Sequence, residues 1–161
     1  MTSAIRGFRM EMDEGAHVTD VYSELAAHAA ADVDGIAQAM ARTASIANSA
    51  GMSFENTAAF LTQVIETTQE SAENIGTSLK TIIARFTELK TNVAGTSESE
   101  FDDLDFNKVD TALKSVGVSL KDTQGQFRDL DDVFLELSKK WETLDRNTQR
   151  YVATIAAGSR Q

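Results

Sequence analysis

A chain of 161 residues can hold one domain with a core of its own, or one domain with a helical extension. Its formal net charge of −10 argues against nucleic-acid binding, which draws on a basic face to displace counterions, and against docking on an anionic membrane. Without a cysteine the chain has no disulfide framework, thiol nucleophile or thiolate-held zinc, and folding inside a cell is expected.

The absence of proline removes the strongest interruption to helices, so closely spaced helices are easy to build. The apolar residues of the first fourteen positions are scattered, with no secretory core after them. No stretch reaches the run of about 18 apolar residues that a single membrane-spanning helix requires.

In chain order, residues 1–18 place Ile5, Phe8 and Met12 at helical spacing, weakened by Gly7 and Gly15. Residues 19–31 predict a better helix, opened by Thr19 and Asp20 and carrying Val21, Tyr22, Leu25 and Ala29. The next helix, over 34–50, carries Ile36, Met40, Thr43, Ala44 and Ala47 and stops at Gly51. Asp34 or Asp32 caps it; with Asp32 the helix would run over 33–50. Its many alanines predict close helix approach and a thin core.

Residues 53–89 predict two amphipathic helices folded as a hairpin, capped by Ser53 and Ser71. The first carries Phe54, Ala58, Leu61 and Ile65, with Val64 widening the stripe; the second carries Ile75, Leu79, Ile82, Phe86 and Leu89. Residues 91–106 then read as an exposed loop, with Gly95 followed by Glu98, Glu100, Asp102, Asp103 and Asp105. Phe106, Val109, Leu113 and Val116 restore helical spacing up to Gly117.

Residues 118–130 change period, and a small β-hairpin turning at 122–125 is predicted. A helix from Asp131, capped by itself or by Asp129, carries Val133, Phe134, Leu137, Trp141 and Leu144. A last helix begins near Asp145, with Tyr151, Val152 and Ile155 inward and Gly158 near its end. The chain stops at 159–161 without a closing element, as a segment cut from a longer protein would. The fold class is mainly α, helical hairpins with one small β-hairpin near residues 118–128.

Chemistry has few footholds. His17 and His28 would share one side of a continuous helix, with Asp13 and Glu24 as ion-pair neighbours four residues earlier, which falls short of three converging metal ligands. Asp103, Asp105 and Asn107 start like a calcium loop, but Lys108 and Lys114 occupy the places of its glycine and bidentate glutamate. Asp129, Asp131 and Asp132 suit helix capping, and Trp141 suits a core anchor better than a sugar platform. No G-x-S-x-G, H-E-x-x-H, Walker A or G-x-G-x-x-G motif occurs, so no catalytic, cofactor-binding or metal-binding residue is expected and the chain reads as no enzyme.

The run at 106–161 resembles the core region of phage tail tape-measure proteins. The likeness rests on Ala112, Leu113, Val116 and Gly117, then the Val118, Leu120, Asp122, Gly125, Phe127 and Arg128 pattern, the helix ending in Lys140 and Trp141, and the closing residues 157–161. Upstream, residues 36–53 and 76–80 are similar to the family's preceding helices, so the resemblance covers about three quarters of the chain. It implies an N-terminal helical extension over 1–33 and a tape-measure core-like domain over 34–161.

It implies also a structural protein of the virion, made in the host cytoplasm, that lies in the tail-tube lumen, sets tube length and leaves ahead of the DNA. Tail tube protein, tail assembly chaperones and tail-tip proteins are the implied partners, with homo-oligomers in the tail. No sequence-specific nucleic acid is implied, and host membrane contact only through other parts of the parent protein. The alternative is a helical adaptor that binds a partner through the stripes of 53–89. A cell-wall hydrolase is a third reading, for which no motif is present.

Overall fold

The computed structural model describes residues 2–91 and 100–157, with side chains at 2–88 and 107–155. Among them are eight α-helices, one 3-10 turn and no strand, so the mainly-α class holds. The expectations placed on Leu89, Gly95, Glu98, Phe106 and residues 158–161 lie outside the described residues. The chain divides into two compact units, Met1–Ile83 and Ala84–Gln161.

The first unit holds α1 (Thr2–Phe8), α2 (Gly15–His28), α3 (Val33–Ser49), α4 (Phe54–Thr68) and the start of α5 (Ala72–Thr91). Asp32 wins the capping of α3: its carboxylate accepts from the Gly35 N–H at 2.6 Å. The predicted stripe of Ile36, Met40, Thr43, Ala44 and Ala47 is buried, joined by Ala39. Small residues on α3 let other helices come close. A Cβ on Gly7 of α1 would run into the Ala44 methyl, and one on Gly76 of α5 would sit 2.5 Å from the Ala39 carbonyl oxygen. The buried Thr43 hydroxyl lies 3.0 Å from the Gly76 carbonyl and 3.1 Å from that of Ala39, and ties the two backbones together.

Around this rail the larger side chains close one core. Ile5, Val18, Tyr22, Ile36, Met40, Phe54, Leu61 and Ile75 belong to a single buried cluster. Residues 1–33 thus contribute Ala4, Ile5, Val18 and Tyr22 to the same core as α3 and α4. Phe54 is the aromatic centre, with the Phe8 and Tyr22 rings 5.8 Å and 5.6 Å away. Ser53 and Ser71 cap α4 and α5 as expected, accepting from Asn56 N–H at 3.2 Å and Asn74 N–H at 3.3 Å.

Four expectations for this unit need correction. Helix α2 starts at Gly15, four residues before Thr19, whose hydroxyl instead donates to the Gly15 carbonyl inside the helix at 2.9 Å. Met12 stands 77% exposed on the 3-10 turn at Met12–Glu14. Val64 stands 41% exposed and does not widen the α4 stripe. On α5 the fully buried position is Ile83, and Ile82 is only half-buried. At about 100° per residue, packing Gly76 against α3 turns the buried face away from Ile82 and toward Ile83.

In the second unit, α6 (Glu100–Ser115), α7 (Leu130–Trp141) and α8 (Arg146–Ala157) enclose Val109, Leu113, Val118, Leu120, Val133 and Val152. Phe86 of α5 meets the Phe134 ring edge-on at 5.7 Å. The expected loop at 91–106 is helical from Glu100 onward. Tyr151 is 49% exposed, because the buried face of α8 runs through Val152 and Ile155.

The β-hairpin expected near 118–128 does not form. The turn is there, with Asp122 N–H donating to the Gln126 carbonyl at 2.8 Å and Arg128 N–H to that of Leu120 at 3.0 Å, but the ladder is one bridge between Lys121 and Phe127. Side chains bond the backbone groups that face away from the turn's other arm. The Ser119 hydroxyl accepts from Lys121 N–H at 3.3 Å, and the Arg128 guanidinium donates to the Ser119 carbonyl at 3.0 Å.

Helices in both units end alike. Met52 N–H donates to the Ala47 carbonyl at 3.0 Å, and Val118 N–H to that of Leu113 at 2.9 Å. Gly51 and Gly117 supply the left-handed residue between, at φ 80 and 76. The stop after α1 has the same pattern, Met10 N–H to the Ile5 carbonyl at 2.9 Å, but its left-handed residue is Arg9 at φ 56.

Two substitutions test this packing. Gly→Ala normally stabilises a helix interior by about 1 kcal/mol, yet Gly76→Ala is expected to destabilise the first unit by about 1–3 kcal/mol through overpacking; a raised urea midpoint would contradict the contact. Phe86→Asp is expected to lower stability by at least about 3 kcal/mol, and unchanged thermal unfolding would place that ring in solvent.

Candidate functional site

The residues singled out for chemistry go to structural work. His17 and His28 share α2, but their rings engage different groups. His17 Nε2 lies 2.7 Å from Glu55 Oε1 on α4, in place of the expected Asp13, with its ring edge-on to Phe54 at 6.1 Å. His28 Nδ1 lies 2.9 Å from the Glu24 carbonyl and 3.5 Å from its carboxylate. No group of three His, Asp or Glu placed for a metal occurs among the described residues. The His17 hydrogen bond holds the Glu55 carboxyl below its ordinary range.

Asp103, Asp105 and Asn107 fall within α6. A helical backbone directs its carbonyls to N–H groups four residues on, which a calcium loop has to leave free for the ion. Asp129 occupies the N-cap position of α7, with Asp131 and Asp132 in the first turn, where they complement the helix dipole. Asp145 caps α8, accepting from Asn147 N–H at 2.9 Å and Thr148 N–H at 3.1 Å; the Thr148 hydroxyl first, then these backbone bonds, lower its pKa. Trp141 ends α7 half-buried, and its carbonyl accepts from the Gln149 amide at 2.7 Å.

A polar staple binds the 117–128 segment to α7, and the sequence reading missed it. Glu136 Oε2 accepts from Arg128 at 2.6 Å and Glu136 Oε1 from Lys140 at 3.2 Å. Lys140 Nζ also donates to the Gly117 carbonyl. The Arg128 hydrogen bond, with that of Lys140 second, holds the Glu136 carboxyl below its ordinary range. The spacing of Glu136 and Lys140 was a visible signal, since residues four apart are neighbours on a helix.

One surface feature stands apart. A cleft of about 910 Å³ lies along α1 and α3, with Arg6, Arg9, Arg42 and Lys80 among its lining residues. No other lysine or arginine occurs between residues 1 and 83.

Capped helices, close-packed on small residues and stapled by ion pairs, place the described residues in the all-helical class. A family model for the phage-related minor tail protein matches residues 1–158, and the chain belongs to that family. Over 135 residues, 84% of the chain, it is 27% identical to the probable tape measure protein of Escherichia phage P2, of which the match covers 14%. Over 85 residues, 53% of the chain, it is 33% identical to the tape measure protein of Pneumococcus phage Dp-1, of which the match covers 7%. The chain therefore spans a small part of the length of both relatives. No solved structure matches it.

The Glu136 staple predicts a pH dependence. A carboxyl whose pKa is lowered by folding contributes stability at neutral pH, and the contribution is lost as pH falls below 4.5, the ordinary glutamate value, and through the folded value. Glu136→Gln is expected to lower stability at pH 7 by about 1 kcal/mol and to shrink the loss on acidification, read by urea unfolding at both pH values.

Proposed function

We propose that this chain is a segment of a phage tail tape measure, which sets tail-tube length during assembly and leaves the tube ahead of the DNA on infection. The observation that carries the reading is the 84% of the chain aligned with a probable tape measure protein, together with a family match over residues 1–158. On this reading the segment acts by packing and partner contacts, without catalysis, metal or cofactor. Its partners are the tail tube protein, tail assembly chaperones and tail-tip proteins, and its place in the virion is the tube lumen.

A ruler works by length per residue. At about 1.5 Å per residue a fully helical segment of this size would measure roughly 240 Å. Removing the segment in frame from its parent protein is therefore expected to shorten the tail, measured on negatively stained particles. Tails of unchanged length with full infectivity would overturn the proposal. Peptidoglycan zymography of the purified chain is expected to show no clearing, and a cleared band would make the segment a hydrolase.

A further inference from the structure

Residues 1–83 carry eleven Asp and Glu against four Lys and Arg, and all four basic side chains line the cleft along α1 and α3. No Asp or Glu is among the cleft's lining residues. Arg42 is engaged by Glu73, while Arg6, Arg9 and Lys80 are exposed. The α3 wall adds two donors with no hydrogen-bond partner among the described residues, the Ser45 hydroxyl and the Asn48 side-chain amide. An exposed cation is ordinary by itself. Here the whole positive charge of a net-negative unit converges on one concave place, and concavity concentrates the field that a small anion meets.

Arg9 is a second observation. It occupies, at φ 56, the left-handed position that Gly51 and Gly117 hold at the other two stops of this kind. Glycine takes that conformation without strain, whereas a side chain there is disfavoured. Strain of this sort gathers at binding sites, where the residue's place matters. Here it sets a guanidinium beside the cleft.

We propose that this cleft binds a compact oligophosphate, an anion of two or more linked phosphate groups, either free or as the phosphate chain of a nucleotide. A single carboxylate would leave most of the cleft's charge unmatched, so the ligand carries several charges in a short span. Linked phosphates do so, and each offers oxygens that a guanidinium fork grips two at a time. An acidic peptide matches less well, because successive side chains of an extended strand leave on opposite faces and half its carboxylates would turn away. At about 910 Å³ the cleft falls in the range of small-ligand sites, roughly 300–1,000 Å³. Salt at 0.1 M screens exposed charges beyond about 10 Å, so a ligand confined to the cleft escapes the unit's carboxylates. A DNA duplex, with a charge about every 1.7 Å along its axis, would run past the cleft and meet them. The proposal does not depend on the tail-length reading.

Calorimetric titration of the purified chain with tripolyphosphate, free of divalent cations, tests it. Saturable binding is expected at low salt, at least about tenfold tighter than for inorganic phosphate, and weaker as salt is raised. Arg6→Gln with Arg9→Gln should weaken it at least about tenfold, and Lys80→Gln at least about threefold. Arg146→Gln with Arg150→Gln, which removes two exposed cations of α8, should leave it unchanged. Arg9→Gly should weaken binding while raising the thermal midpoint, which separates loss of the site from loss of the fold. Under the proposal, ATP binding more tightly than tripolyphosphate assigns the nucleotide form, and equal binding assigns the phosphate chain alone. No binding of tripolyphosphate at low salt, or an equal loss from the α8 variant, would overturn the proposal. Citrate binding as tightly as tripolyphosphate would do the same and give the cleft to carboxylates. Retardation of duplex DNA at physiological salt that the Arg6 and Arg9 changes abolish would overturn it in favour of nucleic acid.

Discussion

The seat of Gly76 on the backbone of Ala39 is the constraint from which most of the first unit follows. With hydrogen in place of a side chain at Gly76, α5 comes near enough to α3 for the Thr43 hydroxyl to reach the Gly76 carbonyl. Gly7 repeats the arrangement on Ala44 from the side of α1. Close backbones bring many atoms into contact at little apolar area, so dispersion and fit count for more here than the area removed from water. The same seat fixes the rotation of α5 about its axis, which is why Ile83 is more deeply buried than Ile82.

The second unit is held by other means. Its apolar core is mostly valine and leucine, with Phe86 against Phe134, and the irregular 117–128 segment is secured by Arg128, Glu136 and Lys140, which satisfy its outward-facing backbone carbonyls. A two-stranded ribbon is marginal in water on its own. Here the staple and the burial of Val118 and Leu120 do the holding, so the segment stays ordered as a turn with no ladder.

Much of this was legible in the sequence. Helix spacing located the α3 stripe, Ser53 and Ser71 marked their helix starts, and Gly51 and Gly117 marked stops, because each of these depends on residues within one turn of one another. Legibility failed where the deciding partner lay far along the chain. Nothing near Ile82 tells that Ala39 will turn the helix away from it. Nothing near His17 points to Glu55, and the alternation of Val118 and Leu120 does not show that Arg128 will claim the Ser119 carbonyl. The cationic cleft was hidden in the same way, since Arg6, Arg9, Arg42 and Lys80 are scattered in sequence and meet only once α1 and α5 close on α3. The family, by contrast, was readable from the run of short motifs at 112–128 and the helix after it.

Every helix stop in the described chain is made without proline. A glycine inside a helix costs about 1 kcal/mol relative to alanine, whereas a proline costs about 3. The stops at Gly51 and Gly117 are therefore kept by their hydrogen bonds and by the buried Met52 and Val118 beside them, and nothing covalent forbids the helix from continuing. Loss of tertiary packing would leave punctuation that neighbouring helices can run through. The two stops therefore hold only while the packing around the buried Met52 and Val118 holds.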